Sequence, residues 1–287
     1  MLSLLAEASQ AIRFEDLHLS KGIDFGFSVF GIPIVLRYYS LAYIAGIVLA
    51  YWHLTRMIKA PGAPMAPRHA EDLFFYCTLG VILGGRLGYV TFYRPDLWLQ
   101  PLEIVKLWDG GMSFHGGVLG VLAAILWVCR KGDLPFLRVC DYIAVNVPFG
   151  MFFGRLANFV NGELWGRPTD VAWAMVFPAG GDFARHPSQL YEAALEGALL
   201  ALVLLLLFWK TRARFRPGLL VGVFTAGIAT ARFMVEFFRE PDEHLRWVAE
   251  DYGLSMGQWL TIPLILVGLA VAIRALMKPP LASGKTA

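Results

Sequence analysis

The chain has 287 residues, of which 57% are hydrophobic and 16% charged, and its mean hydropathy is +0.57. Soluble domains carry about 25% charged residues, so this composition excludes an ordinary soluble fold if the apolar residues cluster along the chain. The net charge of +3 is small and the basic residues sit mostly between apolar runs, which excludes a nucleic-acid surface; Cys77, Cys129 and Cys140 supply neither a metal spacing nor a disulfide framework.

Residues 1–33 contain Glu7, Glu15, Asp16 and Asp24 and lack the basic start and apolar stretch of a cleaved secretory signal. Seven apolar segments follow, over roughly 34–56, 72–93, 113–130, 139–162, 187–209, 218–239 and 255–277, each near the ~20 residues that cross a bilayer. They are too long for strands and show no alternation of the barrel type. The predicted fold class is therefore all-α: a polytopic membrane helical bundle of seven transmembrane helices, forming one integral membrane domain over 1–287.

The connections assign an orientation. Arg56, Lys59 and Arg68 follow the first segment, Arg130, Lys131 and Arg138 the third, Lys210, Arg212, Arg214 and Arg216 the fifth, and Arg274, Lys278 and Lys285 lie in the tail. Inner loops are enriched in Lys and Arg, so the N-terminus is predicted outside and the C-terminus in the cytoplasm. The inner turns are short, and PGAPMAP (61–67) reads as a stiff connector. The longer outer stretches, 1–33, 94–112, 163–186 and 240–254, are expected to build a small outer cap.

That orientation gives each buried polar group a depth. Arg37, Tyr38 and Tyr39 open the first segment, Arg86 and Tyr89 lie in the outer third of the second, and His115 stands two residues into the third. Arg155, Asn158, Asn161 and Glu163 close the fourth, HPSQLYE (186–192) opens the fifth, and Arg232, Glu236 and Arg239 lie in the outer part of the sixth. A charge at the bilayer centre costs about 2.5–3.5 kcal/mol on insertion scales. Scattered snorkelling does not explain Arg86, Arg155 and Arg232 at one depth on three helices, whereas a shared polar cavity does. Arg155, Asn158 and Gly162 share a helix face by spacing, and Arg232 with Glu236 has the i, i+4 spacing of an ion pair. Gly80, Gly84 and Gly88 against Gly116 and Gly120 suit close helix packing. Two or three arginines facing one or two glutamates predict an anion site, and the planar guanidinium fork suits phosphate. An anion reached from the outer half of the bilayer points to a phospholipid headgroup. The rival from another class is an anion or lipid transporter with an arginine-lined cavity, but the inner halves of the segments are nearly all apolar, with Glu196 the exception.

SFHGGVLG (113–120), GRLANFVNGELWG (154–166), RHPSQLYEA (185–193) and RFMVEFFREPD (232–242), with GGRLGYV (84–90), occur in order over most of the chain and together resemble prolipoprotein diacylglyceryl transferase. Ala157 stands where that pattern usually has glycine, and Ile228 where a tyrosine is common, so no phenol is available at that position. The resemblance implies an enzyme of the bacterial inner membrane, acting toward the outer leaflet. Its partners are phosphatidylglycerol and the lipobox cysteine of a preprolipoprotein signal peptide. The diacylglyceryl group is attached to that cysteine as a thioether and glycerol phosphate leaves. It implies no metal or organic cofactor and no nucleic-acid partner. Carried over by motif, Arg155 and Arg232 bind the phosphate and stabilise the leaving group, and His115 at a helix N-terminus is the general base. Asn158 and Glu163 hold the headgroup glycerol or orient the arginines, Gly166 allows close backbone approach, and Glu236 completes the substrate site with Arg232. Arg86 and Tyr89 are assigned as a second lipid contact, and His186, Gln189, Tyr191 and Glu192 as shell or helix-start residues.

Overall fold

The computed structural model describes residues 12–29, 32–107, 110–240 and 246–282. Among the described residues six helices are long and apolar enough to cross a membrane: α1 (Tyr38–Ile58), α2 (Pro67–Phe92), α3 (Phe114–Lys131), α4 (Phe136–Asn161), α5 (Ser188–Lys210) and α8 (Met256–Met277). Between the last two lie α6 (Leu219–Val235), apolar but only 17 residues, and α7 (Arg246–Tyr252). The fold is mostly helical, and the expected sixth span, 218–239, is helical only as far as Val235. There the chain turns, and Arg239 pairs its backbone with Gly166.

The all-α expectation is corrected in the connections, which carry short strands. β2 (Gly22–Val29) and β3 (Ile32–Arg37) form an antiparallel hairpin leading into α1, and β1 (Ile12–Arg13), β4 (Met175–Val176) and β5 (Ala184–Arg185) form a small sheet in the order β1-β4-β5. Two-residue strands leave no alternation to read in a sequence. An aromatic cluster holds the small sheet: Phe14 lies 5.4 Å from Phe177 and 5.7 Å from Phe159 of α4 between ring centroids, and Trp165 stacks on Phe177.

Contacts divide the chain into two compact units, Met1–Ala50 with Ala144–Pro279 and Tyr51–Ile143 with Pro280–Ala287. In the first, α6 and α8 pack along a seam of small residues; a Cβ added to Gly222 would lie 2.6 Å from the Ala272 nitrogen. α5 approaches α4 at Gly197, where a Cβ would come within 2.7 Å of Phe152 Cα. Ser255 and Gln258 cap the start of α8 reciprocally, at 3.2 and 3.0 Å, and Arg216 donates to the carbonyls of Leu276 and Lys278 at its end. In the second unit, the predicted glycine seam joins α2 to α3. A Cβ on Gly80 would sit 2.5 Å from the Gly120 carbonyl oxygen, and one on Gly88 would sit 2.7 Å from Gly116 Cα. Ser113 caps α3 by accepting from the Gly116 N–H. Arg138, read from sequence as an inner-loop charge, is buried and donates to the Gly62 carbonyl of the PGAP connector. Hydroxyls within the spans bond back to their own helix, as Thr78 does to the Phe74 carbonyl and Thr225 to that of Val221.

Candidate active site

The first unit gathers its charges around one carboxylate. Glu192 lies in the first turns of α5 and is fully buried. Its Oε1 accepts from Arg232 Nη1 at 2.9 Å and from Arg239 Nη1 at 2.6 Å, and its Oε2 lies 3.1 Å from Arg155 Nε. Two further carboxylates flank it. Glu196, four residues along α5, is 3.6 Å from Arg155 Nη2, and Glu236 is 3.1 Å from Arg232 Nη2 and 3.9 Å from Arg239 Nε. The predicted Arg232–Glu236 pair is thus formed, within a larger network.

Local structure explains how three arginines reach one acceptor. Residues Ala193–Leu199 of α5 wind as a π-helix directly after Glu192. The wider turn keeps Glu192 and Glu196 on one face, toward α4 and α6, and such turns recur at functional sites. Gly197 permits the close approach of α4 that carries Arg155. The turn after α6 swings Arg239 back beside Arg232 on the same side.

The electrostatics differ from the expected arginine excess. Three guanidiniums face three carboxylates, so the network is formally neutral. Its two kinds of charge are layered: the side chains of Glu192, Glu196 and Glu236 are 0, 2 and 9% exposed, whereas those of Arg155, Arg232 and Arg239 are 21, 28 and 15% exposed. Among the described residues, Arg155 Nη1 and Arg232 Nε have no acceptor. Those two N–H groups are what the network leaves for an anion, and the compensating carboxylates are its more buried members.

A second polar group lies where α4 ends. Gly162 closes the helix in the left-handed region, φ 68°. Glu163 then folds back, its Oε1 accepting from Asn158 Nδ2 at 2.9 Å and Asn161 Nδ2 at 3.2 Å. Its carbonyl accepts from Gln189 Nε2 at 2.6 Å, which ties this turn to the start of α5. The Tyr39 hydroxyl of α1 stands 3.2 Å from that of Tyr43. Leu164 follows at φ 58°, an uncommon conformation for leucine, held by Ser188 Oγ donating to its carbonyl. Gly166 is closed in by protein: a Cβ there would strike the Phe238 carbonyl and His186, so its smallness serves the bridge to Arg239. Arg167 Nε donates to the Arg239 carbonyl at 2.7 Å, coupling the loop to the arginine network.

His186 lies just outside α5. Its Nδ1 is 3.1 Å from the Tyr191 hydroxyl, its ring packs on Tyr191 and Phe238, and burial holds its pKa below the usual 6.5, with Asp170 opposing that shift.

The remaining predicted residues belong to the second unit. His115 is exposed at the second position of α3, its ring edge-on to Phe114, and among the described residues no group hydrogen-bonds it. The sequence assigns Arg86 and Tyr89 to a lipid; in the structure the Arg86 guanidinium is 5.6 Å over the Tyr89 ring and is taken up by backbone carbonyls of residues 103–111.

The sequence groups Arg155, Arg232 and Glu236 at one depth and places Arg239 beside them without a role, and it gives Glu192 only a shell or helix-start role. The available signal was the i, i+4 pair Glu192/Glu196 in an otherwise apolar run, since two carboxylates in a span require cations opposite.

The sequence model of the prolipoprotein diacylglyceryl transferase family matches residues 27–274. The phosphatidylglycerol–prolipoprotein diacylglyceryl transferase of Erythrobacter litoralis is 70% identical over 272 residues, covering 94% of each chain. The proteins of that name from Zymomonas mobilis and Paramagnetospirillum magneticum are 49% and 52% identical, over 94% and 86% of this chain and 96% and 91% of their own.

Proposed function

The chain belongs to the prolipoprotein diacylglyceryl transferase family, and from that premise we propose that it transfers the diacylglyceryl group of phosphatidylglycerol to the thiol of a lipobox cysteine in a preprolipoprotein. The sulfur–carbon bond forms at the glycerol carbon that bears the phosphate, and the carbon–oxygen bond to phosphate breaks. The electron pair leaves on the phosphate oxygen. The thiol proton, taken by His115 in the role its motif implies, departs with the glycerol phosphate.

The observation that carries this reading is the pair of unoccupied N–H donors on Arg155 and Arg232, backed by the buried Glu192 carboxylate. Donors aimed at a departing anion in a water-poor site stabilise the charge as it develops. Glu192, Glu196 and Glu236 fix the guanidiniums, while Asn158 and Glu163 hold the headgroup glycerol. Arg86 and Tyr89 keep the second lipid contact assigned from the motif, with the Arg86 guanidinium bonded to the carbonyls of Glu103, Ile104 and Lys106. The protein sits in the bacterial inner membrane with α6 as its seventh crossing, the C-terminus cytoplasmic, and the sheet β1-β4-β5 with the 163–186 loop as an outer cap.

The test is incubation of the purified protein with doubly labelled phosphatidylglycerol and a lipobox peptide. Acyl label on the cysteine, with headgroup label released as glycerol phosphate, supports the proposal. Lipid uptake without transfer overturns it in favour of a transporter.

A further inference from the structure

The Arg86 side chain is 94% removed from solvent, yet it faces no carboxylate among the described residues. Its donors go to five backbone carbonyls: Nε to Ile104 at 2.8 Å, Nη2 to Glu103 at 2.8 Å and Lys106 at 3.1 Å, and Nη1 to Gly111 at 3.1 Å and to Gly110. Every N–H direction of the fork is thereby used, on a stretch joining two membrane-spanning helices.

Depth is what makes this arrangement informative. Arg86 stands six residues before Phe92, the last residue of α2, which is about 9 Å along the helix axis. The guanidinium lies 5.6 Å over the ring of Tyr89, short of the end of α2. The carbonyls it binds are therefore drawn back to a level well inside the span. An independent contact agrees: the Ser113 N–H donates to the Gly85 carbonyl at 2.8 Å, so α3 starts level with Gly85 and not with Phe92. A Cβ on Gly111 would strike the Tyr89 ring, which fixes the same level a third time. The chain between Tyr93 and Ser113 must descend by roughly two helical turns.

Irregular backbone at such a depth is tolerated only where protein satisfies its polar groups, and Arg86 does so for five carbonyls. The side chains of the descending stretch are apolar and open: Leu99 is 88% exposed, Leu102 77%, Val105 64% and Trp98 51%. They continue the exposed apolar surfaces of Leu83, Leu87 and Phe92 on α2 and of Phe114 on α3. Among the described residues the stretch's charges are paired locally, Arg94 with Asp96 at 2.7 Å and Lys106 with Glu103 at 2.5 Å, which reduces the cost of placing them near hydrocarbon. Two short turns of helix, Pro95–Leu99 and Pro101–Ile104, form its body.

We propose that residues 95–107, with Gly110 and Gly111, form a re-entrant foot, pinned to α2 by Arg86, whose apolar side chains insert among the lipids of one leaflet. This goes beyond the transferase reading and does not rest on it; its readout is membrane depth, not turnover.

The test uses the full-length protein in phospholipid nanodiscs. Leu99→Cys and Leu102→Cys are labelled with a nitroxide, with labelled unsubstituted protein as background for the native cysteines and Asp16→Cys as a water-exposed reference. Collisions with dissolved oxygen are expected to dominate over those with a water-soluble nickel chelate at 99 and 102, reversing the order at position 16. Nickel accessibility equal to that at position 16 would overturn the proposal. In the Leu102→Cys background, Arg86→Lys offers one nitrogen in place of a fork and is expected to shift the label toward nickel accessibility; an unchanged label depth would remove Arg86 from the role. The first comparison carries Arg86 unaltered, so it decides the placement even if Arg86→Lys does not fold.

Discussion

Glu192→Gln is the most incisive change. The carboxylate is fully buried and takes contacts of 2.6, 2.9 and 3.1 Å from three guanidiniums. The amide removes one negative charge, leaving the network at +1, and turns an NH2 donor toward cations. Removing one partner of a buried ion pair costs about 3–5 kcal/mol. The arginines here are 15–28% exposed, so relaxation toward the open side lowers the figure to about 2–4 kcal/mol. If the loss falls on the aim of the arginines, kcat drops by about 30- to 1,000-fold, while KM for phosphatidylglycerol stays level or falls because the site has gained positive charge. A purely structural role predicts a different pattern, with fewer folded molecules at unchanged kcat. The assay is thioether formation on a lipobox peptide across a phosphatidylglycerol series, with active enzyme counted after size-exclusion chromatography. Glu192→Asp keeps the charge and is expected to recover part of kcat. A Glu192→Gln protein with kcat within about threefold of the parent would refute the positioning argument, since a kcal/mol or less is all that such a ratio holds.

Arg155→Ala and Arg232→Ala are each expected to lower kcat/KM by about 100- to 1,000-fold, as for other lost donors to a developing anion, measured in the same assay. Asn158→Ala and Glu163→Ala share one hydrogen bond of 2.9 Å, so a double-mutant cycle on KM should show coupling of about 1 kcal/mol; strict additivity would separate the two residues. Gly84→Ala forces a Cβ against the Gly116 carbonyl and should destabilise by about 1–3 kcal/mol, whereas Gly150→Ala, with open space at its Cβ, should be near neutral; thermal unfolding in detergent compares them. His186 has a depressed folded pKa, so its contribution to stability is complete above the unfolded value of 6.5 and is lost as the pH falls below it. His186→Gln should flatten that part of the acid limb in a thermal melt.

The spans were legible because a bilayer demands long apolar runs; among the described residues six of the seven expected segments are matched by spanning helices, and the sixth, 218–239, falls short where Arg239 turns back to Gly166. Arg155, Arg232 and Glu236 were legible because charge in an apolar helix is costly enough to need a reason. Glu192 was not, since a glutamate near the start of a helix already has an ordinary explanation in the helix dipole; only the structure shows it turned inward toward three partners. The acceptors of Arg86 were unreadable for another reason: they are backbone carbonyls, present at every position and marked by no residue type.

The neutral sum of the network sharpens the case for leaving-group stabilisation. Three uncompensated guanidiniums in apolar surroundings would each carry a desolvation cost of several kcal/mol, and the helices bearing them would be forced apart or flooded. Carboxylates remove that cost, but they would also silence the arginines if they shared the accessible face. The structure buries Glu192, Glu196 and Glu236 more deeply than the arginines and, among the described residues, leaves Arg155 Nη1 and Arg232 Nε without an acceptor. In the proposed reaction a phosphodiester bound there meets those donors, and when the carbon–oxygen bond breaks, the new charge appears on an oxygen bound by the same donors. Because the guanidiniums are already held, little reorganisation is required as that charge develops, which is the condition under which preorganised dipoles lower a barrier and do not merely tighten binding.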